Sequence, residues 1–267
     1  MGTEFRITIS AADTSGMQRT IDSAFRRVDE LEQMMSDYRA GSELNRLRGS
    51  TKWQQISPEL HEVLVFSRAL AKQTGGAFDP TIGPLTKLWR RAFRQQAFPA
   101  EDRILAARAR VHWKDLRVAK RRRVRLRRKE MSLDLGGVAK GFALDEVGKL
   151  LRKAGFPAFL LDGGGDLLLG DAPSDEGWTV KFPASGSVSD LYNVAIATSG
   201  DAYRYLEWEG VRYSHIIDPR TGYGTTHQRE VTVFGPSAMV ADGLASAYLL
   251  GSQPKGFPDY TYSDGGR

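Results

Sequence analysis

A double-glycine turn followed by a lysine is the segment with the clearest capacity for chemistry. The sequence Leu133-Asp134-Leu135-Gly136-Gly137-Val138-Ala139-Lys140-Gly141 is typical of a strand that passes through two glycines into a helix. The first turn of a helix presents free N–H groups and positive dipole to an anion, and Lys140 adds a cation there. The sequence contains neither GxxxxGK[ST] nor GxGxxG at this point. The segment therefore predicts either a diphosphate cradle or an ordinary tight strand-to-helix turn.

Two oxygen-bearing side chains lie four residues apart near the end of the chain. Asp242 and Ser246 fall in a predicted helix over residues 237–250, so both project from the same face. Magnesium prefers hard oxygen ligands and takes only one or two from protein side chains when phosphates and waters complete its shell. The pair predicts a magnesium site if another loop approaches it; the alternative is an exposed Asp beside a small packing Ser.

Three further positions could hold a ligand or act on one. Residues 75–84 form a rigid, proline-containing loop in which Asp79 either binds a ligand or organises its own turn. Tyr38 could stack on an aromatic ligand or cap the core. His215, near the end of an apolar strand over residues 211–217, could accept a proton near neutral pH or be structural. No HExxH or GxSxG motif is present, which argues against metalloproteases and α/β-hydrolases.

The elements that must position these residues mix helices and strands without regular βαβ alternation, which favours the α+β class and one domain. Apolar spacing and capping residues predict helices over residues 21–35, 58–70, 101–110, 138–151 and 237–250. The sequence Ser199-Gly200-Asp201 is a further helix-start signal. Strands are predicted around residues 117–126 and over residues 132–135, 159–162, 167–169, 193–198, 211–217 and 231–234.

The composition narrows the function classes. The 267 residues include no cysteine, which excludes disulfides, thiolate metal sites and cysteine nucleophiles. The apolar stretches are strand-sized and fall short of the roughly 20 residues that a membrane span needs. Much of the net charge of +6 lies in Arg117 and the run over residues 120–129, where arginines alternate with Val124 and Leu126. This pattern favours a solvated edge strand that resists pairing; the alternatives are docking to an acidic partner or anionic lipid and, least favoured, nucleic acid.

Taken together, these segments resemble the ApbE family, the FAD:protein FMN transferases, in order and spacing. The similarity covers residues 1 to about 251. The matching blocks are Met1-Gly2-Thr3, Ser36-Asp37-Tyr38, Ser42-Glu43-Leu44-Asn45, residues 76–85, Leu88-Trp89, residues 134–141, Thr198-Ser199-Gly200, residues 214–222 and residues 241–247.

The resemblance implies an α+β, two-lobed, T-fold-like domain that holds FAD in a cleft between mixed sheets and helices. Carried onto matching positions, it places the FAD site at Met1, Tyr38, Ala77, Phe78, Asp79, Asp134, Lys140 and Ile217. It places Mg²⁺ at the Gly137 carbonyl, Asp242 and Ser246, with Ala245 adjacent. It makes His215 the candidate base.

The implied reaction moves FMN from FAD to a Thr or Ser hydroxyl of an acceptor flavoprotein and releases AMP. The expected acceptor carries a Ser/Thr-Gly-Ala-Ser/Thr motif and is, in some systems, a subunit of a membrane redox pump; no nucleic acid is expected. The alternatives are an FAD pyrophosphatase and a non-catalytic FAD-binding module. The prediction assigns residues 1–251 to the family domain and residues 252–267 to an atypical tail. The chain as given predicts a cytoplasmic protein, and an N-terminal signal that has been removed would instead predict the periplasm or the inner membrane.

Overall fold

The structure is a computed structural model that describes residues 3–182, 186–200 and 205–265. Its helices are α1 (Met17–Met35), α2 (Glu43–Arg46), α3 (Pro58–Gln73), α4 (Gly83–Gln95), α5 (Glu101–Arg108), α6 (Ala139–Lys153) and α7 (Ala238–Leu249). Its strands are β1 (Arg6–Ile9), β2 (Gln54–Gln55), β3 (Leu116–Ala119), β4 (Arg123–Leu126), β5 (Phe159–Asp162), β6 (Leu167–Leu169), β7 (Trp178–Lys181), β8 (Val188–Leu191), β9 (Ala195–Gly200), β10 (Tyr205–Trp208), β11 (Val211–Ser214), β12 (Glu230–Gly235) and β13 (Thr261–Asp264). Helices and antiparallel strands mix along the chain, so the α+β prediction is confirmed.

The largest sheet organises the fold. Within the described residues it has six antiparallel strands in the order β1-β5-β6-β9-β12-β13. Helix α6 packs on β5 and β6, and α7 packs on β9 and β12. The hairpin β7–β8 contributes Trp178 and Val180 to a separate apolar cluster with Ile196 of β9 and Phe234 of β12. The central strands are therefore covered on both faces and hold the helix pair firmly.

Helices α6 and α7 approach each other unusually closely at their N-terminal ends. A Cβ placed on Gly141 would lie 2.1 Å from the Ala238 carbonyl oxygen, so only glycine fits there. Asp145 of α6 caps α7, because its carboxylate accepts hydrogen bonds from the Ser237 hydroxyl at 2.7 Å and from the Ala238 and Met239 N–H groups at 2.8 and 3.0 Å. Such caps satisfy N–H groups that a helix start would otherwise leave unpaired. The two helices are therefore fixed in register, which fixes the side chains they share.

An aromatic cluster supports the other side of the molecule. Trp89 of α4 is fully buried and its indole N–H donates to the Gly222 carbonyl at 2.8 Å. Its ring packs against Phe98, Tyr213 and Tyr223. This cluster joins α4 to the turn that follows β11, and therefore places His215 relative to α4.

The structure corrects several sequence predictions. Residues 132–135 do not form a strand; Ser132 makes only an isolated bridge to Ile82, because the segment enters the helix after too short an extended stretch. Strand β11 ends at Ser214, and Ile217 makes a separate bridge to Gly224. Ser199 and Gly200 belong to β9, not to a helix start, because they pair with β12; the rest of that predicted signal, at residues 201–204, lies outside the described residues.

The prediction that the arginine-rich run forms a solvated edge is wrong. Strand β4 is the middle strand of a three-stranded antiparallel sheet, β2-β4-β3. Val124 and Leu126 are buried while Arg123 is exposed, so the predicted alternation holds but the predicted edge does not. Two-residue β2 supplies the second partner, and a strand this short leaves little pattern in a sequence.

The C-terminal segment contributes to the main sheet. Strand β13 pairs antiparallel with β12, and the Tyr260 hydroxyl accepts a hydrogen bond from the Ser237 N–H at 3.2 Å. Residues set apart as a tail in the sequence thus pair with the strand that precedes α7. Among the described residues, no helix is long and apolar enough to cross a membrane.

Candidate functional site

A cleft of about 950 Å³ collects most of the predicted site residues. That volume lies within the range of small-molecule and cofactor sites, about 300–1,000 Å³. The predicted residues that line it are Tyr38, Ala77, Phe78, Asp79, Asp134, Gly137, Lys140, His215, Ile217, Asp242 and Ser246. Ala245 is buried in α7 next to Ser246 and is not among the lining residues, and Met1 lies outside the described residues.

One cation and two carboxylates meet on the floor of the cleft. The Lys140 ammonium lies 2.8 Å from Asp166 Oδ2 and 3.3 Å from Asp242 Oδ2. Both carboxylates are almost fully buried, at 3% exposure each. The Gly141 N–H also donates to Asp242 at 3.3 Å, so one free N–H of the predicted anion cradle is taken by a carboxylate of the protein itself. We call Lys140, Asp166 and Asp242 the floor cluster.

Hydroxyl groups extend the floor cluster toward the double-glycine turn. Ser246 Oγ lies 3.3 Å from Ser199 Oγ of β9. A Cβ placed on Gly137 would lie 3.1 Å from Ser246 Oγ, so the turn comes directly against α7. The approach of a second loop, on which the sequence-based metal site depended, is therefore present. The alternative of an exposed Asp242 is excluded by its burial.

The electrostatics of the floor cluster favour an added cation. Burial raises the pKa of Asp242 to about 7, with Lys140 opposing this and the Asp166 carboxylate reinforcing it. Burial alone would lower the pKa of Lys140, but the two carboxylates together raise it. With Lys140 charged, two ionised carboxylates leave an excess of one negative charge in a desolvated place.

The donor set fits Mg²⁺. Hard oxygens from carboxylates, hydroxyls and the backbone are what this ion prefers, and it needs few of them when phosphates are present. Among the described residues, no group of three or more His, Cys, Asp or Glu forms a metal-binding cluster. Asp242, Ser246 and the adjacent Gly137 turn suit a metal shared with a substrate.

A second group of two carboxylates around one cation forms part of the cleft wall. Arg90 of α4 donates to Asp134 at 2.8 Å and also to Asp37, and its guanidinium lies 4.1 Å from the centre of the Tyr38 ring. The other Asp134 oxygen accepts the Gly136 N–H at 2.8 Å. Burial and the neighbouring Asp134 raise the pKa of Asp37, while Arg90 lowers it. We call Asp37, Arg90 and Asp134 the wall cluster; it leaves 69% of Tyr38 exposed for a ligand ring.

Asp79 lines the cleft, but its carboxylate oxygens accept hydrogen bonds from the protein itself. One oxygen accepts from the Thr81 N–H and hydroxyl at 2.8 and 2.7 Å, and the other accepts from the Trp113 N–H at 3.0 Å. Burial raises its pKa despite these bonds. These contacts support the alternative that Asp79 organises its turn, and any ligand contact there would come from neighbouring Ala77 and Phe78.

His215 lies at the edge of the cleft on the turn after β11. Its side chain is exposed, and the turn is fixed because the Ile216 N–H and the Thr225 hydroxyl both donate to Ser214 Oγ, at 2.8 and 2.9 Å. Exposure does not support a buried structural role for this histidine. Ile217, two residues on, is buried in the cluster around Trp89.

Sequence reasoning missed two charged residues of the site. Arg90 lies on helix α4, which is absent from the sequence-based predictions although Leu85, Trp89 and Ala92 occur at helical spacing. Asp166 directly follows the Gly163-Gly164-Gly165 turn, and an acidic residue after such a turn could have been compared with Lys140. The roles of both residues depend on contacts with residues far away in the sequence: Arg90 bonds Asp134, and Asp166 pairs with Lys140.

Known proteins resemble this chain over most of its length. The profile of the ApbE family matches residues 1–258. The chain belongs to the ApbE family. One relative, an FAD:protein FMN transferase from Vibrio cholerae serotype O1, is 32% identical over 96% of this chain and 80% of its own length. Another of the same name, from Escherichia coli K12, is 30% identical over 94% of this chain and 76% of its own length.

Solved structures of the family share the fold. The flavin transferase ApbE from Vibrio cholerae superposes with a TM-score of 0.83 at 28% identity, covering 99% of this chain and 94% of that one. The ApbE protein from Thermotoga maritima gives a TM-score of 0.82 at 29% identity, covering 93% of this chain and 84% of that one. The predicted family membership and fold are therefore confirmed.

Proposed function

We propose that this chain is a Mg²⁺-dependent enzyme that transfers the FMN part of FAD to a Thr or Ser hydroxyl of an acceptor flavoprotein and releases AMP. The coarser statement, flavin transfer from FAD to a protein, follows from family membership and from the names of the relatives. The magnesium ion, the acceptor hydroxyl and the residue roles are our proposal. The observation that carries it is the floor cluster, two buried carboxylates and one ammonium beneath a cleft large enough for a dinucleotide.

The floor cluster is suited to hold the diphosphate of FAD together with a cation. Asp242, Ser246 and the Gly137 carbonyl would hold Mg²⁺, with Ala245 packing behind them. When bound, the ion would stabilise negative charge on the phosphate oxygens. Lys140 carries its charge into the same region, and Asp166 fixes its ammonium at 2.8 Å, so the cation is positioned before substrate arrives.

The wall of the cleft is suited to the ring systems of the substrate. Tyr38 offers an exposed aromatic face backed by Arg90, and stacking on such a face is tolerant of ring type. Ile217, Ala77 and Phe78 supply apolar surface on the same cleft. The flavin and adenine rings would therefore be held by packing while the phosphates lie over the charged floor.

The transfer step exchanges one phosphorus–oxygen bond for another. The acceptor hydroxyl oxygen forms a bond to the phosphorus of the FMN half, and the bond from that phosphorus to the bridging oxygen breaks, so AMP leaves with the electron pair. A hydroxyl is a weak nucleophile, so a base is needed for its proton. His215 lies at the exposed edge of the cleft, where an acceptor segment can enter, and would take this proton. The expected acceptors include flavoprotein subunits of membrane redox pumps.

The direct test is incubation of the purified chain with FAD, Mg²⁺ and an acceptor domain that bears a Ser/Thr-Gly-Ala-Ser/Thr motif. We expect the intact mass of the acceptor to rise by one FMN less water, with one AMP released per FMN attached. The matched control is the same acceptor with both hydroxyl residues replaced by alanine, which should stay unmodified.

Other outcomes would identify a different function. If free FMN and AMP are released while the acceptor stays unmodified, the chain is an FAD pyrophosphatase. FAD binding without AMP release in the presence of Mg²⁺ would make it a flavin-binding module. Either result would contradict the proposed transfer.

A further inference from the structure

The three-stranded sheet β2-β4-β3 carries a strongly basic outer surface. We define the basic face as Trp53, Arg117, Arg123 and Arg125 together with the turn at residues 120–122. The thirteen residues 117–129 contain nine Lys or Arg and no Asp or Glu, which exceeds the net charge of the whole chain, +6. The remainder of the protein is therefore slightly acidic, and the positive charge is a local feature.

The charges of the basic face are not neutralised within the protein. Among the described residues, no carboxylate lies within ion-pair distance of Arg117, Arg123 or Arg125, whereas Arg128 just beyond the face pairs with Asp115 at 2.6 Å. In the same part of the chain the Arg125 Nε–H is buried and has no hydrogen-bond acceptor. A buried donor left unsatisfied is costly, so Arg125 is not placed there to stabilise the sheet.

Strand register adds a second unfavourable arrangement. Arg117 of β3 lies directly opposite Arg125 of β4, and like charges in that position destabilise a sheet. Protection of a sheet edge does not account for Arg125, because β4 is the central strand, whereas Arg117 lies on the edge strand β3. Edge protection therefore does not explain the arginines of β4, and an anionic surface would give their unpaired charges a partner.

The only large aromatic ring on the basic face lies between its arginines. The guanidinium groups of Arg125 and Arg123 lie 4.8 and 5.5 Å from the centre of the Trp53 ring, and Trp53 is 39% exposed. The loop before β2 is tied to the end of β4, because the Leu126 N–H donates to the Ser50 carbonyl at 3.3 Å. An indole held beside several guanidinium groups is suited to the headgroup region of a membrane, where Trp and basic side chains are both favoured.

We propose that the basic face docks this protein onto an anionic lipid surface, with the arginines on the headgroup phosphates and Trp53 at the headgroup level. The charges are spread along a four-residue strand and its turn instead of converging on one point, so several headgroups are contacted and no single phosphate is enclosed. An acidic protein would match the charges and bury the indole as well, since Trp and Arg are both enriched at protein interfaces; the spread of the charges along the strand and turn favours a lipid surface. None of these residues lines the cleft, so docking leaves the cleft open and the inference is independent of the proposed function.

The test is co-sedimentation of the full chain with vesicles. The probes are phosphatidylcholine vesicles with and without about 30 mol% phosphatidylglycerol, at about 50 mM salt, where screening is weak. We expect binding to the anionic vesicles only, loss of that binding in high salt, and a blue shift of tryptophan emission that is absent in W53F.

Matched variants separate the basic face from total charge. We expect R117Q/R123Q/R125Q to weaken vesicle binding by about tenfold or more, because each basic residue near an anionic membrane contributes independently. The control R26Q/R103Q/K153Q removes three exposed charges from α1, α5 and α6 and should bind within about twofold of the wild type. Thermal melting of both variants verifies that they fold.

Three results would overturn the proposal. The first is no binding to anionic vesicles at low salt. The second is an equal loss for the two triple variants. The third is a soluble polyanion, polyglutamate or duplex DNA, that binds the basic face with the same dependence on Trp53 as the vesicles; this would assign the face to an acidic protein or a nucleic acid.

Discussion

The wall cluster and the floor cluster have the same charge composition and different surroundings. Each places two aspartates around one cation on the same cleft. In the wall cluster, Arg90 donates to Asp37 from one guanidinium nitrogen and to Asp134 from the other. Its side chain lies over the Tyr38 ring and is 31% exposed. In the floor cluster, the ammonium group of Lys140 is one point charge shared by two carboxylates that are almost fully buried.

The two clusters differ in burial and in the type of cation, and these two factors indicate which cluster has a structural role and which a chemical one. A guanidinium fork can satisfy two carboxylates at once, and partial solvation relieves the remaining charge. In the floor cluster, burial raises the pKa of Asp242 to about 7, with Asp166 reinforcing the rise and Lys140 opposing it. We infer that an added cation would stabilise the floor cluster more than the wall cluster, because Asp166 and Asp242 are the more deeply buried carboxylates.

The largest effect is expected from D242N. Loss of one metal-binding carboxylate should lower Mg²⁺-dependent AMP release by about a thousandfold, roughly 4 kcal/mol of transition-state stabilisation. The matched control is D37N in the wall cluster, which should lose less than about tenfold. AMP release measured over a Mg²⁺ titration distinguishes them, and equal losses in both variants would remove the distinction between the clusters.

A backbone variant tests whether the floor cluster depends on the close approach of α6 and α7. In G141A the new methyl group would collide with the Ala238 carbonyl, 2.1 Å away, so the helices must separate. We expect about 3 kcal/mol of lost stability in urea unfolding, because overpacking outweighs the better helix propensity of alanine. The control G41A has no atom within 4 Å of the new Cβ and should change stability by less than about 0.5 kcal/mol. A fully stable G141A would show that the helix contact is adaptable.

His215 belongs to neither cluster. Its replacement tests whether the floor cluster alone supports FMN transfer at the normal rate. H215Q should lower kcat for FMN transfer by about a hundredfold with little change in the KM for FAD, because proton acceptance contributes to the step and not to binding. A lower kcat in H215Q with an unchanged KM for FAD would support a base. An unchanged kcat would exclude His215 from that role.

We expect substitutions in the wall cluster to lower the free energy of unfolding. R90Q leaves Asp37 and Asp134 without their cation, and we expect a loss of about 2 kcal/mol, less than for a fully buried pair because Arg90 is partly solvated. R90K retains the charge without the fork and should fall between R90Q and the wild type. Urea midpoints give the order, and an R90Q midpoint equal to that of the wild type would contradict the structural role.

A third group of this kind, away from the cleft, gives the smallest effect. Arg27 of α1 bonds Glu59 and Glu146 at 2.8 and 2.6 Å. Burial raises the pKa of Glu146, but hydrogen bonds from Arg27 and Lys149 outweigh it and the pKa is lowered below 4.5. A carboxylate with a lowered folded pKa contributes stability that is present above 4.5 and is lost as the pH falls through the folded pKa.

E146Q should therefore cost about 1 kcal/mol at neutral pH and remove part of the pH dependence below about 4.5. Thermal melting from neutral to acidic pH measures both effects. A wild-type curve and an E146Q curve that stay parallel through this range would contradict the prediction.

The sequence predicted what depends on local pattern. The helices that became α1, α3 and α7, the strands β5 and β6, and the residues lining the cleft follow from periodicity, capping and family motifs. Ser57 caps α3 and Ser237 caps α7, as their positions before the helices indicate. The fold class followed from the order of these elements, because irregular alternation disfavours a doubly wound sheet.

What the sequence could not predict depends on distant partners. Strand β4 looked like an edge because its second neighbour, β2, is two residues long and lies some seventy residues earlier. The role of Asp166 depends on its ion pair with Lys140. The role of Arg90 depends on its ion pairs with Asp37 and Asp134. The sequence left two roles open for Asp79, because the Trp113 N–H that occupies one of its oxygens comes from another part of the chain.

The most direct test of the central claim is anomalous diffraction from crystals grown with FAD and Mn²⁺ in place of Mg²⁺. The account predicts one strong peak between the Asp242 carboxylate, the Ser246 hydroxyl and the Gly137 carbonyl, adjoining the FAD phosphates, and no peak there in D242N. A peak elsewhere, or one that persists at the same place in D242N, would contradict it.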